Sequence, residues 1–228
     1  MVCGLYEAQN ESGKDLKLKV GCDRIRLTAF VNMKLPCYIC GSCFLVRKNM
    51  KRSKKISVLR ECVEKHHICR CFYEYDKSYW YYYINDFNDK FVLGQEENDF
   101  ELNGYTIRNF DELQKAEIKN DVCEEINRLN GVAGQIKAPQ IDISSWQSIF
   151  NSLLDCGEWV IVENENEEIF HIGIILKAGK NKLTMREFDA DGKWQEETKI
   201  PYKEITSVSF KTRYIKNFRT YLERTKEG

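Results

Sequence analysis

The sequence predicts a mainly β fold with flanking helices (α+β), arranged as two tandem small β-barrel-like units, each a helix, about five strands and a C-terminal helix. Three observations lead there. Apolar residues recur at helical spacing at two points of the chain. Each point is followed by short runs rich in β-branched and aromatic residues, separated by turn-forming residues. The whole pattern returns some ninety residues later.

The first helix is predicted from Ile56, Leu59 and Val63, with Ser53 as its N-cap. Its counterpart carries Trp146, Ile149, Phe150 and Leu153, capped by Ser144 or Ser145. Predicted strands follow at Ile68–Tyr73, Tyr79–Ile84 and Lys90–Gln95, and again at Trp159–Glu163, Ile169–Leu176 and Lys182–Phe188. Asp76-Lys77, Asn85-Asp86 and Asn88-Asp89 supply turn chemistry in the first set. Asn164–Glu167, Ala178-Gly179 and Asp189–Gly192 supply it in the second. Phe110, Leu113, Ala116 and Ile118 then match Tyr202, Ile205, Val208 and Phe210 at a constant offset of 92. Closing helices carry Val122, Ile126 and Leu129 in one copy and Tyr214, Phe218 and Tyr221 in the other, at the same offset. The units are expected at 50–130 and 143–228, joined by a linker over 131–142 that contains Gly131, Gly134 and Pro139.

A helix followed by about five short antiparallel strands is a layout that closes into a small barrel and so removes its edges. Over roughly Ser53 to Phe210 the layout resembles tandem Sm-like small β-barrels, and the second copy resembles uncharacterised bacterial proteins of this layout. The family's second motif has an Arg-Gly-Asn/Asp tripeptide before the last strand. Here the corresponding residues are Ile107-Arg108-Asn109 and Ile200-Pro201-Tyr202, without the glycine. RNA binding through that family's loop residues is therefore not implied.

The 228 residues carry 35 Lys plus Arg against 35 Asp plus Glu, so no global field draws the chain to nucleic acid or to anionic membranes. Binding of that kind needs a local patch. The apolar run Leu35–Val46 is too short to span a bilayer, and its basic flank lies on the wrong side for a signal peptide. The expectation is a protein without membrane attachment, in a reducing cytoplasm with free thiols. Residues 1–49 differ in character from the rest, and Met50 opens a stretch that reads as a protein start. That segment is expected to be a poorly structured extension.

Eight of the ten cysteines fall within the first 71 residues. Cys37, Cys40 and Cys43 have the C-x2-C-x2-C spacing of zinc or iron–sulfur half-sites. Cys62 and His66, at i and i+4 of a helix, would complete a zinc set, or form a nucleophile–base pair. The competing reading is thiols packed in a core, because Cys69 and Cys71 align with the core-like Trp159 and Ile161. His171, between Phe170 and Ile172, reads as a partly exposed strand residue. The acidic runs Glu163–Glu168 and Asp189–Asp191 read as solvated turns.

Two features bear on nucleic acid. Bases at Lys51, Arg52, Lys54 and Lys55 belong to a run with no acid from Arg47 to Lys55. The stretch Tyr79–Tyr83 alternates, placing Tyr79 and Tyr81 on the face opposite Trp80 and Tyr82. No phosphate-binding glycine loop, metalloprotease helix or nucleophile elbow occurs. The functional expectation is a non-enzymatic interaction module that binds another protein or itself. The alternatives are an RNA- or DNA-binding protein using the basic run and the aromatic strand, and a zinc-binding protein.

Overall fold

The computed structural model describes residues 7–9, 15–17, 49–76 and 78–225. The chain divides into two units, Met1–Leu45 and Val46–Gly228. In the first, β1 (Glu7–Gln9) pairs antiparallel with β2 (Asp15–Lys17). All other elements belong to the second unit.

Helix α1 (Arg52–Lys65) buries Leu59 and Cys62, with Ile56 and Val63 flanking them on the same stripe. It begins after Lys51 without a side-chain cap, so Ser53 lies inside the first turn. It ends at His66, whose left-handed φ of 52° stops the helical path. Strands β3 (Ile68–Tyr73), β4 (Trp80–Phe87), β5 (Phe91–Asn98), β6 (Glu101–Asn109) and β7 (Leu113–Ile118) follow, then α2 (Val122–Leu129). A 3-10 turn at Ala133–Gln135 leads through an extended segment to α3 (Trp146–Asp155), capped by the Ser145 hydroxyl, which accepts from the Ser148 N–H. Strands β8 (Trp159–Asn164), β9 (Ile169–Ala178), β10 (Lys182–Phe188), β11 (Trp194–Pro201) and β12 (Ser207–Phe210) precede α4 (Arg213–Thr225).

Turn chemistry explains the hairpins. The Asn88 carboxamide oxygen accepts from the N–H groups of Lys90 and Phe91, fixing the β4–β5 turn. Asn85 and Asp86, expected at a turn, lie within β4, where a bulge between Ile84 and Asp86 absorbs them. Asp99 and Phe100 both take positive φ, the conformation of a tight two-residue hairpin between β5 and β6.

The ten strands β3–β12 form one open antiparallel sheet, in the order β11–β10–β9–β8–β12–β6–β5–β4–β3–β7. This overturns the expectation of two tandem closed units and, with it, the resemblance to Sm-like barrels. The reason is the pairing of β6. It does not close onto its own half but bonds to β12, with Arg108 opposite Ser207 and Tyr105 opposite Phe210. The apolar interior follows the sheet across that join. Phe91, Leu93, Tyr105 and Ile107 pack in one cluster with Ile149, Phe150 and Leu153 of α3. The matched residues also differ in surroundings. Cys69 and Cys71 lie under α1, whereas Trp159 and Ile161 lie under α4. Phe110 is fully buried against α1, whereas Tyr202 is partly exposed, stacks on Phe150 and donates to the Gly179 carbonyl. The coarser expectation, mainly β with flanking helices, holds.

Alternation along the paired strands assigns the helices to faces. One face carries Cys69, Cys71, Tyr82 and Val92 under α1 and, further along, Trp159 and Ile161 under α4. The other carries the α3 cluster, and Ile68 and Tyr83 beneath residues 132–136. Between α1 and α4 the first face turns polar, with Thr106 and Arg108 on β6 beside Ser207 and Ser209 on β12. The Thr106 and Ser209 hydroxyls are 2.9 Å apart, bonding across the join.

Candidate functional site

Two constellations stand out, one on each face. The first is a grid of aromatic and cationic side chains on β7, β3 and β4, opposite α1. Register aligns Lys115 with Phe72, Glu117 with Arg70, and Arg70 with Tyr81. Tyr79, just before β4, extends the aromatic row. Phe72 and Tyr79 meet edge to face at 5.4 Å, and Tyr79 and Tyr81 lie 5.1 Å apart. The Arg70 guanidinium sits over Tyr79 at 4.7 Å and near Tyr81 at 5.7 Å. The ammonium of Lys119 lies 3.7 Å from the Tyr81 ring, and that of Lys115 5.2 Å from Phe72. Tyr79 is 40 % exposed, while Tyr83, next along the same face, is buried under residues 132–136. Tyr79 is thus the exposed member of the row, and Tyr83 its buried end.

Its cations have nearby carboxylates. Glu117 lies 2.5 Å from Lys115 and 3.9 Å from Arg70. Asp121, the N-cap of α2, lies 3.9 Å from both Arg70 and Lys119. Three cations therefore face two carboxylates, and the residual charge is small.

The second constellation centres on Arg108, which is 2 % exposed. Its guanidinium lies 3.8 Å over the Tyr73 ring, donates to Asp76 at 2.9 Å and contacts Glu165. Glu165 comes from β8's outgoing turn, so this ion pair ties the two ends of the sheet's polar middle together. Glu112 accepts from the Asn109 amide at 2.7 Å, and Glu163 accepts from the Ser207 hydroxyl at 3.2 Å. Several carboxylates thus gather around this guanidinium. Burial first, then the neighbouring Asp76 and Glu163, push Glu165 up to about 7 despite Arg108. Burial likewise raises Glu112 to about 7. Glu96, on β5 beside this group, also reaches about 7, through burial and the proximity of Glu163. Burial alone would weaken the Arg108 charge, but Glu165, Tyr82 and Asp76 outweigh it and hold the pKa well above its ordinary value.

The structure separates the two features read as a nucleic-acid site. Tyr79 and Tyr81 belong to the grid. Lys51, Arg52, Lys54 and Lys55 start α1, which packs on the opposite face of the sheet. Within that run, Lys51 and Lys54 are exposed. Arg52 bonds to Asp111 at 2.7 Å and to the Asp89 carbonyl at 2.5 Å, over Phe110. Lys55 is buried, donates to the Leu113 carbonyl at 2.7 Å, and has its pKa lowered by burial and by Arg52.

The thiols pack as core. Cys62, Cys69 and Cys71 are fully buried and free, with Cys69 and Cys71 sulfurs 3.5 Å apart. Hydrogen bonding to Cys69 and burial push the Cys62 thiol far above its ordinary value, the reverse of nucleophilic activation. His66 is exposed at the helix end, away from that cluster. Cys37, Cys40 and Cys43 lie outside the described residues. Among the described residues no group of three or more His, Cys, Asp or Glu side chains could hold a metal. His171 is partly exposed and contacts Glu187 at 3.0 Å.

Sequence reasoning named two grid residues but missed Phe72, Arg70, Lys115 and Lys119. The first two were legible by alternation: if Cys69 and Cys71 face the core, Arg70 and Phe72 face away. Lys115 and Lys119 required knowing that β7 returns to pair with β3. For Arg108 the available signal was its place as the one charged residue between Gly104 and Phe110. No helix among the described residues is long and apolar enough to cross a membrane. No family model, curated protein or solved structure matches the chain.

Proposed function

We propose that the chain is a non-catalytic protein-interaction module that binds its partner through the Phe72–Tyr79–Tyr81–Arg70 grid. The observation that carries this reading is the balance of the grid: a part-exposed aromatic row with an arginine laid over Tyr79, and three cations largely offset by Glu117 and Asp121. Tyr and Arg on a pre-packed surface are the side chains that dominate protein interfaces. A phosphate-binding face needs unmatched cations, and the basic run that would supply them sits on the other face. The partner chemistry that fits is an apolar protein surface with a carboxylate rim, answering the small residual positive charge. Free thiols at contact distance support a reducing, cytoplasmic setting.

The test is photo-cross-linking in cells of the natural host, from a benzophenone side chain replacing Tyr79. A discrete protein adduct is expected. It should disappear when Arg70→Glu is added, and an identical probe at Lys54 should not form it. Adducts with nucleic acid, or no adduct at position 79 above the Lys54 control, would overturn the reading. In parallel, a low-salt titration with single-stranded RNA is expected to show no binding that depends on Tyr79 or Tyr81.

A further inference from the structure

Helix α2 turns its apolar residues to solvent. Val122, Ile126 and Leu129 recur at i, i+4 and i+7, and Val122 is 69 % and Leu129 78 % exposed. The side toward the rest of the chain is polar. Asn127 is fully buried, and its carbonyl accepts from the Val132 N–H. Glu124 contacts His67, and Asp121, the N-cap, lies near Arg70 and Lys119. Rolling the apolar stripe inward would break all of these contacts, so the helix is held with that stripe outward.

Amphipathic helices normally bury the apolar stripe and wet the polar one. What covers this stripe is selected by two charges beside it. Glu125 and Arg128 are exposed and, unlike Asp121 and Glu124, enter no ion pair among the described residues. At about 100° per residue, both fall on the same flank of the stripe. When the stripe of one copy is laid antiparallel on that of another, with a two-fold axis at Ile126, like flanks adjoin. Val122 of each copy then lies opposite Leu129 of the other, and Glu125 of each opposite Arg128 of the other. The helix is thus complementary to itself in both its apolar and its charged residues. A parallel pair would set this flank against the opposite one, where Asn130 offers no charge.

We infer that the occupant is a second copy of this chain, bound antiparallel through Val122, Ile126 and Leu129 of α2 in a two-fold dimer. The same patch serves both copies, so the assembly closes at two. Three apolar side chains per copy cover far less than the roughly 1,600 Å² of a standard interface. The dimer is therefore weak, with a dissociation constant on the order of 100 μM. The inference stands apart from the role proposed for the aromatic grid.

The test is sedimentation velocity on the full chain over a series from about 5 to 500 μM. A reversible monomer–dimer equilibrium is expected. Leu129→Ser should weaken it by about tenfold or more without changing the melting temperature, because the side chain is exposed in the single chain. Glu125→Arg and Arg128→Glu should each weaken it by about threefold or more, because each sets like charges together across the axis. The chain carrying both substitutions should recover the original association, since the exchanged charges again meet their opposites. An equimolar mixture of the two single variants should recover it as well. A chain that stays monomeric over the whole series overturns the inference. So does association indifferent to Leu129→Ser, or a double variant that associates no more tightly than the single ones.

Discussion

Replacing Arg108 by methionine probes the polar middle of the sheet with little change in volume. The substitution leaves Asp76 and Glu165 in place, with side chains only 12 % and 14 % exposed, and removes the guanidinium that bridges them. Removing one partner of a buried ion pair costs about 3–5 kcal/mol when the survivor stays charged. Loss of the stack on Tyr73 adds on the order of 1 kcal/mol. The survivors can escape part of that cost by binding a proton, and Glu165 already sits at about 7. The expected loss of unfolding free energy is therefore about 3 kcal/mol near pH 8, shrinking to about 1–2 kcal/mol near pH 5. The sign in the wild-type chain follows from the same group. Glu96, Glu112 and Glu165 are raised from 4.5 to about 7, so the folded state holds more protons than the unfolded state between those values. Their contribution to stability is complete below about pH 4.5 and is lost as pH rises through about 7. Urea unfolding of both proteins across this pH range, followed by tryptophan fluorescence, reads both quantities. A loss under about 1 kcal/mol near pH 8, or a loss independent of pH, would refute the argument that Arg108 neutralises buried carboxylates.

Glu96→Gln removes a carboxyl that burial disfavours when charged, so it should stabilise the fold by about 1 kcal/mol above pH 7 and by nothing near pH 5, measured in the same unfolding series. Gly173→Ala should cost about 3 kcal/mol in thermal unfolding, because a Cβ there would lie 2.0 Å from the Arg186 carbonyl oxygen on the neighbouring strand. An unchanged melting temperature would show that β9 and β10 are not held this close. Cys156 is exposed while Cys62, Cys69 and Cys71 are buried. Site-resolved alkylation should label Cys156 at once and the other three only at the rate of unfolding, and early labelling of Cys62 would contradict the packed-thiol core.

Local pattern carried much of this fold. The bounds of β3 and β10, the alternation of Tyr79–Tyr83 and the Ser145 cap of α3 all depend on neighbours within a few residues, which periodicity reports. The partner of β6 does not. Tyr105 and Phe210 are far apart in sequence, and nothing local to either strand says that they pair with each other rather than within their own halves. The same limit hid the grid, since Lys115 reaches Phe72 only because β7 returns to β3. The exposed apolar residues of α2 show a third limit. Helical spacing reveals that a stripe exists, but not whether the sheet lies under it. For Val122 and Leu129 it does not.

The bond between β6 and β12 has a consequence for synthesis. When β6 has left the ribosome, about a hundred further residues must be made before Ser207–Phe210 can cover it. At about 5–20 residues per second that is a wait of several seconds with a bare strand edge and an unfilled apolar surface beside it. Neither half can be finished alone, so a break between residues 131 and 142 should yield two sticky fragments rather than two small proteins. Nascent chains stalled in that interval would be clients for holding chaperones.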